Sequence, residues 1–417
     1  MAAETHFSEN CPTINIPGSK SLTQRALITA ALARDNSFIS NALLSEDINY
    51  LVDALRELGA RIVFADGGFS VYGTAGKLIN SGNPLFLGYN GTALRFLSAL
   101  VCLGEGRYLI TGEKRLCERP VGALVTALQG MGVDISCAGN CPPVTINAAG
   151  LAGGKIELKD IASSQYVSAL LLCAPYTKKG MELTLQGDIV SAPYIDLTID
   201  VMKNFGAAVE KTGQREYHVH AGKIYQGRKY SVEGDASSAS YFFLAAALLQ
   251  KTISVNGISR KSKQGDIRLL HILEQSGCEI NSADSWVEVS GKELPEGDLI
   301  FDLNDIPDMV PTLAVLAAFR AGQTVITNVA HLRLKESNRL AALVAEFSRC
   351  GIKAAETNDG LIINGGRIRP AVIETYNDHR IAMSFAIASL IAPGLQISDK
   401  KCVDKSFPSF WEELKKI

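Results

Sequence analysis

Eight cations lie close to segments that read as helix starts: Lys20, Arg25, Arg95, Arg119, Lys335, Arg339, Arg380 and Lys405. The formal net charge of the chain is −2, so this clustering is local and does not reflect a generally basic surface. A helix start offers free N–H groups and the positive end of the helix dipole; a nearby guanidinium adds a bidentate fork and an ammonium a point charge. That combination suits small carboxylates and phosphates. The same loops carry polar residues fit for ligand contact, "SSQ" (163–165), "SAPY" (191–194) and "NDHR" (377–380). Two acids stand among the cations, Asp308 in "IPDMVPT" and Glu336 in "LKESNR". A carboxylate beside cations ionises readily, which favours a base over an acid. Plainer readings compete: solvated charge for each cation alone, a helix N-cap for Asp308, and an i,i+3 partner of Arg339 for Glu336.

Other chemistries fit less well. The chain has no phosphate-binding P-loop, no GxSxG elbow and no HExxH. "DGGFSVYG" has glycines but no following helix, so it reads as a hairpin. His218 and His220 alternate on a strand-like segment, and Cys137 and Cys141 have no second pair to complete a zinc site; no metal is expected. His379 alone fits a buried core histidine.

The residues that could do chemistry recur in phase. Small-residue-rich helices start near Ser21, Thr92, Ser163, Ser237, Asp308 and Asp378, at intervals of 70 to 74 residues. Each of the first five precedes an alternating strand and a second helix ending in glycine, at Gly59, Gly132, Gly206, Gly277 and Gly351. Two short strands follow. The repeat is thus a βαβαββ unit, six times over, with the sixth cut short after its second helix, and "TINIPG" at the N-terminal side is expected to supply that sixth unit's missing strand. The first helices are apolar nearly all round, which marks them as buried. The stretch "LGYNGTALRFL" (87–97) is the second such start: a glycine loop aimed at an anion, with Gly91 allowing close approach.

The 417 residues suffice for two or three domains' worth of core and are 47% hydrophobic and 20% charged, ordinary for a globular protein. Nine scattered cysteines, an odd number, fit a reducing compartment. The first twenty residues read as neither a secretory signal nor a transit peptide, and no apolar run is long enough to span a membrane. A cytoplasmic location is expected.

Taken together, "PGSKSLTQRAL", "NGTALR", "ERPVGALVTAL", "SSQYVSALLLCAP", "SAPYID", "VEGDASSASYFFLAAA", "QGDIR", "IPDM", "RLKESNRL", "YNDHRIAM" and "DKSFP" resemble the 5-enolpyruvylshikimate-3-phosphate synthase family of enolpyruvyl transferases. The likeness runs along essentially the whole chain. It implies an α/β fold of two similar lobes, each of three βαβαββ repeats with buried helices and outer sheets, an inside-out α/β barrel. The first lobe would be 18–233 and the second 1–17 with 234–417, its last repeat completed by the N-terminal strand, and the lobes would close on substrate. The implied reaction moves the enolpyruvyl group of phosphoenolpyruvate to the 5-hydroxyl of shikimate 3-phosphate and releases phosphate, in the route to chorismate and the aromatic amino acids.

By the same resemblance Lys20, Ser21, Arg25, Ser163, Ser164, Gln165, Ser191, Tyr194, Asp308, His331 and Lys335 would hold shikimate 3-phosphate. Lys20, Gly91, Arg119, Gln165, Arg339, Arg380 and Lys405 would hold phosphoenolpyruvate, at the site that is the glyphosate target of the family. Asp308 would be the base on the hydroxyl, with Glu336 and Lys20 moving protons at the methylene. No cofactor, nucleic acid, membrane or second subunit is implied; the expected state is a monomer. The sequence departs from the family pattern at Tyr89, Asn90 and Phe96 around the Gly91 loop, and at His331, where asparagine is usual. Two rivals stand beside this reading. One is the same-fold transferase acting on UDP-N-acetylglucosamine, against which the spacing of Cys117 to Arg119-Pro120 speaks. The other is a repeat scaffold that binds anions without chemistry.

Overall fold

The computed structural model describes residues 11–159 and 161–417. Residues 1–10, read above as part of a leader-free N-terminus and of the second lobe, lie outside the described residues. The chain divides into two compact units, Gly18–Val232 and Glu233–Ile417 with the N-terminal segment ending at Pro17. Each is mixed α/β.

In the first unit, three helices run through the core: α1 (Lys20–Leu32), then, after α2 (Glu46–Glu57), α3 (Gly91–Leu100), and, after α4 (Gly122–Gly130), α5 (Ser164–Cys173). From Leu22 to Leu32 every residue of α1 is buried. Such a helix carries no charged stripe, and some of its hydroxyls turn inward on their own backbone. Thr29 donates to Arg25 O (2.9 Å) and Ser98 to Leu94 O (2.7 Å). The second helices differ. α2 buries Ile48, Leu51, Val52 and Leu55 and exposes Asp53 and Arg56, the spacing of a one-sided surface helix. The last helix of this unit is α6 (Pro193–Asn204).

Three four-stranded sheets cover these helices on one plan. A leading strand pairs parallel with the strand that follows the buried helix, and a hairpin then adds two antiparallel strands. Leu85–Phe86, Glu105–Thr111, Cys141–Ala149 and Asp134–Ala138 form one such sheet. Gly154–Lys159, Met181–Gln186, Glu216–Val219 and Val209–Lys211 form another. Along Met181–Gln186 buried and exposed residues alternate, so one face packs on the helices and the other meets solvent. Burying a leucine or isoleucine side chain on such a face stabilises by about 1.5–3 kcal/mol.

The second unit repeats the plan with α7 (Ala236–Leu249), α8 (Leu269–Gln275), α9 (Val310–Phe319), α10 (Arg339–Arg349), α11 (His379–Ser389) and α12 (Phe410–Leu414). Here α7, α9 and α11 are the buried helices. The five glycines read as helix ends all adopt positive φ, between 84° and 101°, the left-handed conformation that glycine tolerates best.

One expectation is corrected. The N-terminal strand Thr13–Asn15 does not complete the sixth repeat. It pairs parallel with Thr252–Asn256, leading the fourth repeat's sheet. The segment that should lead that sheet, Lys229–Ser231, instead pairs with Asn36–Ser40 in the first repeat. Two leading strands have exchanged units. The sixth repeat supplies its own leading strand, Ala371–Ile373, which among the described residues pairs only with Leu395–Ile397, without a hairpin beside it. The chain crosses at Pro17–Gly18 and at Val232–Glu233. A Cβ on Gly18 would lie 1.8 Å from Asn41 O, and one on Gly234 2.5 Å from Gly257 O, so both crossings need glycine for space. Asn15 N–H donates to the Glu413 carboxylate (2.9 Å), which still brings the N-terminal strand beside α12.

"DGGFSVYG" is the hairpin expected, between Arg61–Ala65 and Gly68–Tyr72. All nine cysteines are free thiols. Among the described residues no helix is long and apolar enough to cross a membrane.

Candidate active site

The first unit gathers its cations around the starts of α1, α3 and α5. Ser19 caps α1, and Lys20, its first residue, donates to Asp47 Oδ2 at 3.1 Å. Asp47 also ties in the next loop, because Asn90 Nδ2 donates to its backbone oxygen (2.8 Å). The Asn90 side-chain oxygen in turn accepts the N–H of Ala93 (2.9 Å), making Asn90 the N-cap of α3. Asn90 is therefore a structural cap that couples the Gly91 loop to the partner of Lys20.

Gly91 follows. A Cβ there would lie 2.5 Å from the Arg119 guanidinium and 2.6 Å from Arg95 Nη1. Two guanidinium groups thus close over the first residue of α3. Arg95 is buried and does not reach solvent: it donates to Gly91 O (2.8 Å), Gln165 Oε1 (3.2 Å) and Pro120 O (2.8 Å). Gln165 completes the bridge between α3 and α5 by donating to Thr92 (3.0 Å). Arg119 donates to Tyr89 O at 3.4 Å. Phe96 is buried behind this group with its ring 5.1 Å from the Arg25 guanidinium.

Arg25 lies one turn into α1 and is 1% exposed. It donates to Thr198 Oγ1 (2.7 Å), Ser21 O (3.0 Å), Tyr194 O (3.3 Å) and Ser168 Oγ (3.4 Å). These acceptors are all neutral, and burial pushes the guanidinium pKa down to about 10. A buried cation held only by neutral dipoles favours the arrival of an anion. Tyr194 is half-buried, 5.9 Å from the same guanidinium. Ser163 caps α5 by accepting the Gln165 N–H (3.3 Å), and Ser164 N–H donates to Val190 O (3.2 Å). Ser191 holds φ +58°, a conformation uncommon for a residue with a side chain.

The second unit gathers a network centred on Arg339, the first residue of α10, which is 1% exposed. It donates to Asp308 (2.8 Å), Glu336 (2.7 Å) and Asp378 (2.8 Å). Burial alone would lower its pKa, but Asp378, Glu336 and Asp308 outweigh burial and raise it. The other oxygen of Asp308 accepts from Arg380 (2.8 Å). Burial alone would push the Asp308 carboxyl up; Arg380, Lys335 and Arg339 together hold it well below the usual carboxylate range. Asp308 is not a cap. It lies in the turn Pro307–Met309 ahead of α9 and spends both oxygens on arginines. Glu336 lies before α10, whose cap is Asn338.

Asp378 caps α11 through the Arg380 N–H (3.0 Å) and also accepts from Ser337 (2.9 Å). Arg380 reaches Ser237 Oγ on α7 (3.4 Å), and Ser237 donates to buried Asp266. Burial, and then the charge of Asp308, push Asp266 up to about 6. Lys405 donates to the oxygen and side chain of Asn377 (2.8 and 2.7 Å), beside the Asp378 cap. His331 is half-buried. Burial and Lys335 push it down to about 3, against the pull of Asp308, so the ring is neutral. Its Nε2 has no partner among the described residues.

Each unit thus brings its own expected residues together: Ser21, Arg25 and Tyr194, and separately Gly91, Arg119 and Gln165, in the first; Asp308, Glu336, Arg339 and Arg380 in the second. Sequence reasoning missed their partners Asp47, Ser168, Thr198, Ser237 and Asp378. Asp378 was visible as a cap within "NDHR", and Asp266 within "QGDIR", but neither pattern shows which cation the acid meets.

Residues 11–414 match the family model described as EPSP synthase (3-phosphoshikimate 1-carboxyvinyltransferase). The chain belongs to the EPSP synthase family. It is 42% identical over 409 residues to the 3-phosphoshikimate 1-carboxyvinyltransferase of Trichormus variabilis, covering 97% of this chain and 96% of that protein. It is 41% identical to the enzyme of the same name from Photobacterium profundum, with coverages of 97% and 96%. Among solved structures, EPSP synthase from Acinetobacter baumannii superimposes with a TM-score of 0.78 at 26% identity, covering 97% of this chain and 96% of that one. As a family member, the chain is an enzyme, a carboxyvinyltransferase. The match favours this family over the UDP-N-acetylglucosamine reading and the scaffold reading.

Proposed function

We propose that the chain transfers the enolpyruvyl group of phosphoenolpyruvate to the 5-hydroxyl of shikimate 3-phosphate by addition and elimination. The observation that carries this reading is Asp308, kept ionised between Arg339 and Arg380. In the addition, the 5-hydroxyl oxygen bonds to C2 of phosphoenolpyruvate, its proton passes to Asp308, and a second proton reaches the C3 methylene, leaving a tetrahedral intermediate. In the elimination a proton leaves the new methyl group and the C2–O bond to phosphate breaks, restoring the enol ether. Glu336 and Lys20 move the proton at C3. For Glu336 this requires its 2.7 Å ion pair with Arg339 to loosen while substrate is bound.

The two substrates bring a phosphate each and two carboxylates in all, which accounts for so many buried or half-buried cations on a chain of net charge −2. Shikimate 3-phosphate is assigned to Ser21, Arg25, Ser163, Ser164, Gln165, Ser191, Tyr194, His331 and Lys335. Phosphoenolpyruvate is assigned to Gly91, Arg119, Gln165, Arg339, Arg380 and Lys405, and Lys20 serves both. His331, being neutral, offers the phosphate of shikimate 3-phosphate one N–H and no charge. Each unit is read as an inside-out α/β barrel acting as one lobe of a monomeric, cytoplasmic enzyme of aromatic amino-acid biosynthesis.

The test is phosphate release from phosphoenolpyruvate with either acceptor. Release with shikimate 3-phosphate alone is expected; release only with UDP-N-acetylglucosamine, or with neither, overturns the proposal.

A further inference from the structure

Glu210, His218 and His220 have no part in the reaction above. They lie on the outward face of a sheet in the first unit. Val209–Lys211 runs antiparallel to Glu216–Val219 with Glu210 directly opposite His218. Val209, Tyr217 and Val219 are buried, so strand alternation turns Glu210, His218 and His220 to the other face. The pairing extends one residue further, where His220 N–H donates to Ala208 O (3.2 Å). His220 Nε2 lies 2.9 Å from Glu210 Oε1, and the two imidazole centroids are 4.2 Å apart. One ligand atom from each of the three residues lies within 4.8 Å of the others. Among the described residues this is the only group of three histidines, cysteines or acids so arranged.

We propose that these three side chains form a binding site for a divalent transition metal, of the two-histidine, one-carboxylate type, with water completing the shell. Imidazole and carboxylate ligands suit zinc, nickel and copper. Bonds of about 2.0–2.1 Å in a tetrahedron set the ligand atoms about 3.3 Å apart. Glu210 and His220 need only part by a few tenths of an ångström, and His218 needs only swing inward. Glu210 is exposed and both histidines are half-buried, which leaves room for such movements. A hydrogen-bonded pair accounts for Glu210 and His220 alone. It leaves His218 beside His220 on the same face, the ring centroids 4.2 Å apart and the planes tilted by 54°, an arrangement that a shared metal ion would use. Glu182 stands on the far side of His218 in register, paired with Lys155 at 3.2 Å. A bound ion would clip two neighbouring strands together and so stabilise the folded first unit as any ligand of the native state does.

The experiment is titration of the untagged full chain with Co²⁺ and Zn²⁺, read by Co²⁺ absorption and by competition with a chromogenic chelator. The expected result is one bound equivalent, d–d bands without thiolate charge transfer, and a raised thermal midpoint in Zn²⁺. Affinity should fall at least about tenfold in His218→Ala and in His220→Ala, while Glu210→Gln should weaken binding and leave the far-ultraviolet circular dichroism unchanged. Absence of binding below millimolar metal, a thiolate band, or one-to-one binding that survives in the His218→Ala/His220→Ala double variant would overturn the proposal.

Discussion

Arg25 and Arg339 are each 1% exposed, and each sits at or near the start of a helix, yet their surroundings are opposite. Arg25 has only neutral acceptors, and burial lowers its pKa to about 10. Arg339 holds three carboxylates, and its pKa is raised. A buried cation without an acid is a binding element: the ligand completes its charge. A buried cation with three acids is an organising element: it fixes where carboxylates stand and keeps them ionised. On the proposed reading, Arg25 is a cation that waits for an anion, whereas Arg339 first holds the acids around it in place.

The largest effect expected from breaking this contrast is on stability. Removing the charge in Arg339→Met leaves Asp378 buried beside two more acids and should cost about 3–5 kcal/mol. Arg25→Met leaves only neutral acceptors and should cost about 1–3 kcal/mol. Urea unfolding of both variants measures the difference, and equal losses would erase the distinction drawn between the two arginines.

Gly91→Ala sharpens the account of the grip. The added Cβ meets two buried guanidinium ends that must shift, so stability should fall by about 1–2 kcal/mol as hydrogen bonds of Arg95 are strained. The displaced guanidiniums should still raise the KM for phosphoenolpyruvate by about tenfold, a loss of about 1.4 kcal/mol in binding. A wild-type KM in a folded variant would separate Gly91 from the anion site.

A further expected effect is a pH dependence in the second unit. Asp266 has a folded pKa of about 6, above its unfolded value near 3.9. The native state therefore keeps a proton that the unfolded chain has lost, and this group's contribution to stability falls as pH rises from about 4 to about 6. Asp266→Asn should remove that fall, an effect of at most about 2–3 kcal/mol at neutral pH. Parallel stability curves for the two proteins across that range would show that Asp266 is not so perturbed.

Much of this was legible in the sequence because it is local. Helix starts follow from caps and apolar spacing, and the helix ends at Gly59, Gly132, Gly206, Gly277 and Gly351 follow from the left-handed turn each requires. The exchange of leading strands was not legible. Thr13–Asn15 and Lys229–Ser231 each precede a buried helix, and nothing in either segment states which distant sheet it joins. The same holds at the site. Asp308, Glu336 and Arg339 stood out as acids and cations gathered near helix starts. Asp47 and Asp378 looked like ordinary residues of helix starts, and only tertiary packing shows that they hold Lys20 and Arg339.

The central claim of the proposed function is that Asp308 is the base and that other residues hold phosphoenolpyruvate. Steady-state kinetics of Asp308→Asn with shikimate 3-phosphate and phosphoenolpyruvate tests it most directly. The account predicts that kcat falls by about 10²–10⁴ while phosphoenolpyruvate still binds with an affinity close to wild type. An Asp308→Asn enzyme that turns over at the wild-type rate would contradict it.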